Sequence, residues 1–225
     1  MRLAVIIPTL NEADSIAATL GRLQALRDAG HEVIVVDGGS VDDTAGLAVP
    51  LADAVISSRA GRARQMNAGA RAARGDLLWF VHADTRVQGD THEVLLSALT
   101  VQPSRWGRFD VRLSGEARLL RLVEWLMNMR SRLTGIATGD QGIFVERETF
   151  ERIGGFADIP LMEDIEISRR LKRAAGRPLC LRHRLITSSR RWETQGIPRT
   201  ILLMWRLRLA YALGADPATL ARHYR

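Results

Sequence analysis

The residues that could do chemistry in this sequence collect where an apolar run stops. Leu77-Leu78-Trp79-Phe80-Val81 is followed at once by His82-Ala83-Asp84-Thr85, the pattern of a buried strand that delivers polar groups to its own end. If the extended chain continues through residue 85, its period of two turns His82 and Asp84 to the same side. Both could then face one divalent cation or one phosphate. Gly61-Arg62-Ala63-Arg64-Gln65-Met66-Asn67 is a second candidate. It lacks the Lys-Ser/Thr pair of a P-loop and the full glycine pattern of a dinucleotide fingerprint. It reads instead as an arginine-bearing loop entering a helix whose amides and dipole favour anions, with Arg62 as the phosphate or base contact and Asn67 in support.

The elements that must position these groups alternate along the first half. Leu3 to Ile7 is a strand stopped by Pro8, and Thr9-Leu10-Asn11-Glu12 leads into a helix that Asn11 or Asp14 can cap. Ile16, Leu20, Leu23 and Leu26 give that helix one buried stripe as far as Gly30. Val33 to Val36 is apolar at every position, as in a parallel sheet covered on both faces, and ends at Asp37-Gly38-Gly39-Ser40. A helix, a strand near Ala54 to Ser57, a helix closing at Gly75 and the strand before His82 complete a βαβαβαβ order. That order predicts an α/β fold, a doubly wound, mostly parallel, Rossmann-like sheet with right-handed crossovers. Pro8 to Glu12, Asp37 to Ser40 and His82 to Thr85 then share the carboxyl edge, where such sheets bind ligands.

The second half is less regular. It predicts a strand at 107–113, a helix at 116–132, a Gly-rich segment at 135–142, a strand at 143–145, a helix from Pro160 to Ala175 and a strand at 179–182. An amphipathic basic segment, Ile201 to Leu213, and a short helix after Asp216-Pro217 close the chain.

Composition narrows the partners. Basic residues outnumber acidic ones 32 to 25, and Lys172 is the only lysine. Guanidinium forks suit diphosphates and anionic surfaces, but no basic stripe interleaves with aromatics, so nucleic acid is not an expected partner. Cys180 stands alone, which excludes an intrachain disulfide and points to a reducing, cytoplasmic compartment. The N-terminus reads as a first strand and not as a signal peptide, and no run reaches the ~18 apolar residues of a membrane span. Ile201 to Leu213 could lie on an anionic membrane face, so a peripheral contact at the inner membrane stays open beside simple core packing.

Taken together, Pro8-Thr9-Leu10-Asn11-Glu12, Val35-Val36-Asp37-Gly38-Gly39-Ser40-Val41-Asp42-Asp43-Thr44, His82-Ala83-Asp84, Met162-Glu163-Asp164 and Arg190-Arg191-Trp192 resemble, in order, the motifs of family 2 glycosyltransferases of the GT-A fold. The resemblance implies a nucleotide-sugar donor, a divalent cation (Mn²⁺ or Mg²⁺) and inversion in a single displacement. It implies that Pro8, Thr9 and Glu12 contact the nucleoside, that Asp37 accepts from its base with Gly38 allowing close approach, and that Asp84 holds the cation. The family's usual first acid is replaced here by His82, which is either a second ligand or an orienting group. Asp164 matches the catalytic base, with Glu163 turned elsewhere on its helix, and Arg190 and Arg191 match a diphosphate clamp. The Gln that usually precedes the clamp is absent, with Ser188 at that spacing, so one transfer is expected and not polymerisation.

The expected organisation is one domain over 1–225, with a nucleotide-sugar half at 1–100, an acceptor half at 101–195 and amphipathic helices at 196–225. The acceptor is unknown and could be lipid-like, and the oligomeric state is open. Two rivals remain: a nucleotidyltransferase that makes nucleotide sugars, and a non-catalytic nucleotide-sugar-binding protein.

Overall fold

The computed structural model describes residues 1–224 of the 225-residue chain. Four apolar runs form the parallel half of the sheet: β1 (Leu3–Thr9), β2 (Glu32–Asp37), β3 (Ala54–Ser57) and β4 (Leu77–Phe80). Between them lie α1 (Ala13–Gly21), α2 (Gln24–Asp28), α3 (Thr44–Ala48) and α4 (Arg62–Ala72). The second half adds α5 (Thr91–Val101), β5 (Trp106–Leu113), α6 (Arg118–Thr134), β6 (Phe144–Glu146), α7 (Arg147–Arg152), α8 (Glu163–Ala175), β7 (Leu179–Thr187), α9 (Arg190–Gln195), α10 (Ile197–Ala212) and α11 (Pro217–Tyr224).

These strands make one seven-stranded sheet in the order β3-β2-β1-β4-β6-β5-β7. β3, β2, β1 and β4 are parallel, β6 runs antiparallel between β4 and β5, and β5 pairs parallel with β7. The order reverses between β1 and β4, so the crevice of a doubly wound sheet opens at their carboxyl ends. β1 and β2 register Thr9 opposite Asp37, which brings two of the polar loops side by side.

Apolar residues on alternate faces of the strands fill two separate cores. Val5, Ile7, Val33, Val35 and Trp79 pack under α1 and α5, while Ile6, Val36, Leu78 and Phe80 pack against α4 and α8. α4 approaches the sheet closely because Gly69 has no side chain: a Cβ there would lie 2.4 Å from Ile6 Cγ2 and 2.9 Å from Val36 Cγ2.

Several local expectations are corrected. The first helix breaks at Arg22 and Leu23 into α1 and α2. Neither Asn11 nor Asp14 caps α1; Asn11, at φ 55°, accepts from the Val41 amide at 2.9 Å and so ties the first loop to the second. α5 and α7 were not foreseen. The spacing of buried Thr91, Leu95 and Leu99, four residues apart, is the signal that would have found α5. β7 continues to Thr187, five residues beyond the expected stretch, with Arg182 and His183 of β7 bulging opposite the Phe109–Asp110 step of β5 and so absorbing the change of register.

Candidate functional site

β4 stops at Phe80, so the period-two argument for His82 and Asp84 does not apply. Residues 82–85 instead form a tight turn closed by the Thr85 amide on the His82 carbonyl at 3.0 Å. The Thr19 hydroxyl donates to the Ala83 carbonyl at 2.7 Å, anchoring this turn to α1. The turn separates its two polar residues. His82 lines a cavity of about 470 Å³; Asp84 is half-buried, does not line that cavity, and has no hydrogen-bond partner among the described residues.

The cavity is built by the second half of the chain. Its polar wall holds His82, Asp140, Glu163, Asp164 and Arg62; its apolar wall comes from α6 and α10 through Val123, Leu126, Met127, Ile201, Met204 and Trp205. His82 Nδ1 lies 3.4 Å from Asp140 Oδ1. Gly139 lets its loop press on the imidazole, since a Cβ there would come within 2.6 Å of His82 Nε2. Burial pushes the Asp140 carboxyl up, but the hydrogen bond and charge of His82, aided by Arg62 and Arg191, hold it below the ordinary carboxylate range.

Asp164 sits in the first turn of α8, just after Met162, a non-glycine residue at φ 70°. Such backbone strain persists only where the surroundings enforce it. The Gly139 amide donates to Asp164 Oδ2 at 3.1 Å and the Ile165 amide to Oδ1 at 2.7 Å. Both bonds favour the charged form, yet burial and the neighbouring Glu163 carboxylate outweigh them and raise Asp164 to about 7. Contrary to expectation, Glu163 also lines the cavity, buried and 3.7 Å from Arg62 Nη1.

The remaining expected site residues divide. Thr9, Asp37 and Gly38 cluster at the ends of β1 and β2: the Gly38 amide donates to the Thr9 carbonyl at 2.9 Å, and Asp37 Oδ2 accepts the amides of Gly39 and Ser40 at 3.0 Å each. Pro8 pairs with Val36 on β2, and Glu12 accepts the Ser15 hydroxyl at 2.8 Å. Buried Gln65, given no role by sequence reasoning, clasps this edge by donating to the carbonyls of Thr9 and Val36 at 2.7 and 2.8 Å. None of these residues lines the cavity.

Arg62 alone of the expected donor contacts reaches it. Asn67 spends its amide on the Phe156 backbone, accepting and donating at 2.9 and 2.8 Å. Arg191 stacks 3.6 Å over the Tyr224 ring and donates to the Tyr224 carbonyl, while Arg190 is exposed. His183 is paired with Thr91 at 2.9 Å.

Comparison with known proteins places the chain. A family model described as glycosyl transferase family 2 matches residues 4–147. An uncharacterized glycosyltransferase of Mycobacterium tuberculosis is 37% identical over 91 residues, which are 38% of this chain and 35% of that protein, so the match spans about a third of the relative's length. Staphylococcus aureus TarS in complex with UDP-GlcNAc superposes with a TM-score of 0.69 at 17% identity, covering 84% of this chain and 58% of TarS. The mannosyltransferase PcManGT from Pyrobaculum calidifontis, in complex with GDP-Man and Mn²⁺, superposes with a TM-score of 0.65 at 22% identity, covering 98% of this chain and 68% of its own. At these identities the structures speak for the fold. The match of the family model over residues 4–147 speaks for descent: the chain belongs to glycosyl transferase family 2.

Proposed function

We propose that the chain transfers one sugar from a nucleoside-diphosphate sugar to an acceptor hydroxyl, with inversion, and that Asp164 is the general base. The observation that carries this reading is the carboxylate itself, raised to about 7 on the wall of a largely apolar cavity. A base works best when its pKa lies near the working pH. In the step, the acceptor oxygen bonds to the anomeric carbon as the bond from that carbon to the diphosphate oxygen breaks. The acceptor proton passes to Asp164 and the electron pair leaves with the diphosphate.

The loops after β1 and β2 suit the nucleoside. Asp37 and Gln65 stiffen them by holding backbone amides and carbonyls, so little order has to be gained on binding. Arg62, half-exposed beside Glu163, is placed to meet phosphate charge. This reading leaves Arg190 and Asn67 outside the donor contacts.

Among the described residues no group of three or more His, Cys, Asp or Glu is placed to hold a metal. A cation would then take its remaining oxygens from the donor's diphosphate. Asp84 would be its protein ligand, because both oxygens lack partners among the described residues, whereas His82 is engaged with Asp140 and Gly139. With a cation held there, Asp84 would fix a Lewis acid able to offset charge developing on the leaving diphosphate.

No helix among the described residues is long and apolar enough to cross a membrane. α10 nevertheless exposes Leu202, Trp205 and Leu209, and Leu213 just after it is exposed too, which supports peripheral contact of 201–213 with a membrane face and an acceptor that is partly apolar.

The test is a thermal-shift panel of nucleotide sugars with and without Mn²⁺ on the parent chain, Asp84→Ala and Asp164→Asn, followed by transfer assays. A donor shift that grows with Mn²⁺ in the parent but not in Asp84→Ala, together with donor binding but no transfer in Asp164→Asn, is the expected result. Equal transfer by parent and Asp164→Asn would remove the base assignment.

A further inference from the structure

Arg130 lines the cavity, and all three of its guanidinium nitrogens are buried with no hydrogen-bond partner among the described residues. It forms no ion pair among the described residues. A guanidinium keeps its charge at any ordinary pH, and buried charges in folded proteins are otherwise paired. Arg208 lines the same cavity and likewise has no hydrogen bond or ion pair among the described residues. Burial alone draws its guanidinium down to about 10, as expected of a cation that has lost water without gaining an acid. The other cavity cation is accounted for, since Arg62 meets Glu163.

The two unpaired arginines sit in similar surroundings. Arg130 lies one helical turn after Leu126 and Met127 on α6, and Arg208 one turn after Met204 and Trp205 on α10, so each shares a helix face with apolar cavity residues. Trp205 both lines the cavity and is 67% exposed, which continues the apolar wall out to the surface. None of the loops after β1 and β2 takes part.

We infer that the acceptor is an anionic amphiphile, whose phosphate group is held by Arg130 and Arg208 and whose apolar body lies along Leu126, Met127, Met204 and Trp205. This rests on the cavity being the acceptor side of the proposed transferase. Two guanidiniums match the two charges of a phosphate monoester and offer it paired donors, and the apolar residues one turn away need a hydrocarbon to cover them.

The experiment measures binding by calorimetry to the full chain, without donor, of dodecyl phosphate below its micelle concentration, dodecyl maltoside, inorganic phosphate and uridine diphosphate. Dodecyl phosphate is expected to bind tightest, and Arg130→Met and Arg208→Met are each expected to weaken it by about tenfold or more. Uridine diphosphate should bind both variants within about twofold of the parent. Ligand-free Arg130→Met should melt at or above the parent temperature, because it removes an uncompensated buried charge. Inorganic phosphate binding as tightly as dodecyl phosphate would reduce the site to one for a free anion and overturn the amphiphile. Equal binding of the maltoside would overturn the anion. An equal loss for uridine diphosphate would assign the arginines to the donor, and a lower melting temperature for both variants would make them structural. Because no transfer is read, the inference can stand or fall apart from the role of Asp164.

Discussion

The guanidiniums of Arg108, on β5, and of Arg130, on α6, are both buried, and their surroundings differ at every nitrogen. Arg108, fully buried on β5, donates from Nε to the Ser131 hydroxyl at 3.1 Å, from Nη1 to the Phe109 carbonyl at 3.1 Å and to Asp110, and from Nη2 to the Asn128 carbonyl at 3.0 Å. Asp110 is shared with Arg132 through two contacts of 2.7 Å. Arg130, between the Asn128 and Ser131 that serve Arg108, has no such partner among the described residues. The contrast extends to whole regions. At the edge of β1 and β2, Asp37, Gln65, Asn11 and Thr44 satisfy neighbouring backbone groups. In the cavity, two arginines lack partners among the described residues and Asp164 is held near neutrality by burial and a like charge. Outside the cavity the buried polar atoms left without a partner among the described residues are single ones, Trp79 Nε1, Arg121 Nε and Arg147 Nη2, whereas at Arg130 the whole guanidinium is left so, as expected where an unsatisfied group awaits a ligand.

The strongest way to break this contrast is Asp164→Asn. Transfer should fall on the order of 10³-fold while the melting temperature holds or rises, since a costly buried charge is gone; steady-state rates and thermal denaturation of the same preparation check both halves. Next comes Arg108→Met, which leaves Asp110 to Arg132 alone and the Ser131 hydroxyl and the carbonyls of Phe109 and Asn128 without their donor, and should cost about 3–5 kcal/mol in denaturant titration. Arg130→Met should not destabilise at all, and a similar loss at both positions would erase the distinction.

Gln65→Leu leaves the carbonyls of Thr9 and Val36 short of a donor and should cost about 1–3 kcal/mol, with weaker nucleotide binding by titration as the loops loosen. Gly139→Ala drives a methyl group against His82 and should lower kcat/KM by roughly tenfold, at a repacking cost of about 1–3 kcal/mol.

The last effect is the dependence of stability on pH. Asp164 binds its proton more tightly folded than unfolded, so its contribution is full below the unfolded pKa of 3.8 and is lost as pH rises through about 7. The parent's melting temperature should therefore decline relative to that of Asp164→Asn between about pH 4 and 7. The transfer rate should move the opposite way, rising until Asp164 is ionised near pH 7. Parallel pH curves for the two proteins would remove the perturbed carboxylate from the argument.

Elements made by a single local pattern were legible in the amino-acid order. β1 and β2 are apolar, largely β-branched runs, and the parallel sheet with its polar carboxyl edge follows from their alternation with helices, although β1 runs through Pro8, where a stop is expected, to Thr9 opposite Asp37. The motifs at Pro8, Asp37 and His82 carried enough of a pattern to suggest the family that residues 4–147 then match. Less visible were features whose cause lies elsewhere in the chain. Where β4 ends depends on the residues after Phe80 leaving the strand for a turn whose middle carbonyl Thr19 holds, from 64 positions away. Glu163 faces the cavity because Arg62, on α4, is there to meet it.

The sequence by itself determined the layered architecture and the chemical inventory of the sheet edge, because strand and helix periods are local and each strand end is marked by its own polar residues. Only the tertiary structure decided which of those groups share a space. It brought His82, Asp140 and Asp164 together from three segments, left Asp84 outside their cavity, and buried the Arg130 guanidinium without a partner among the described residues. Burial and like-charge proximity are sums over residues distant in the chain, so the raised Asp164 and the uncompensated arginines have no signature in any stretch read alone.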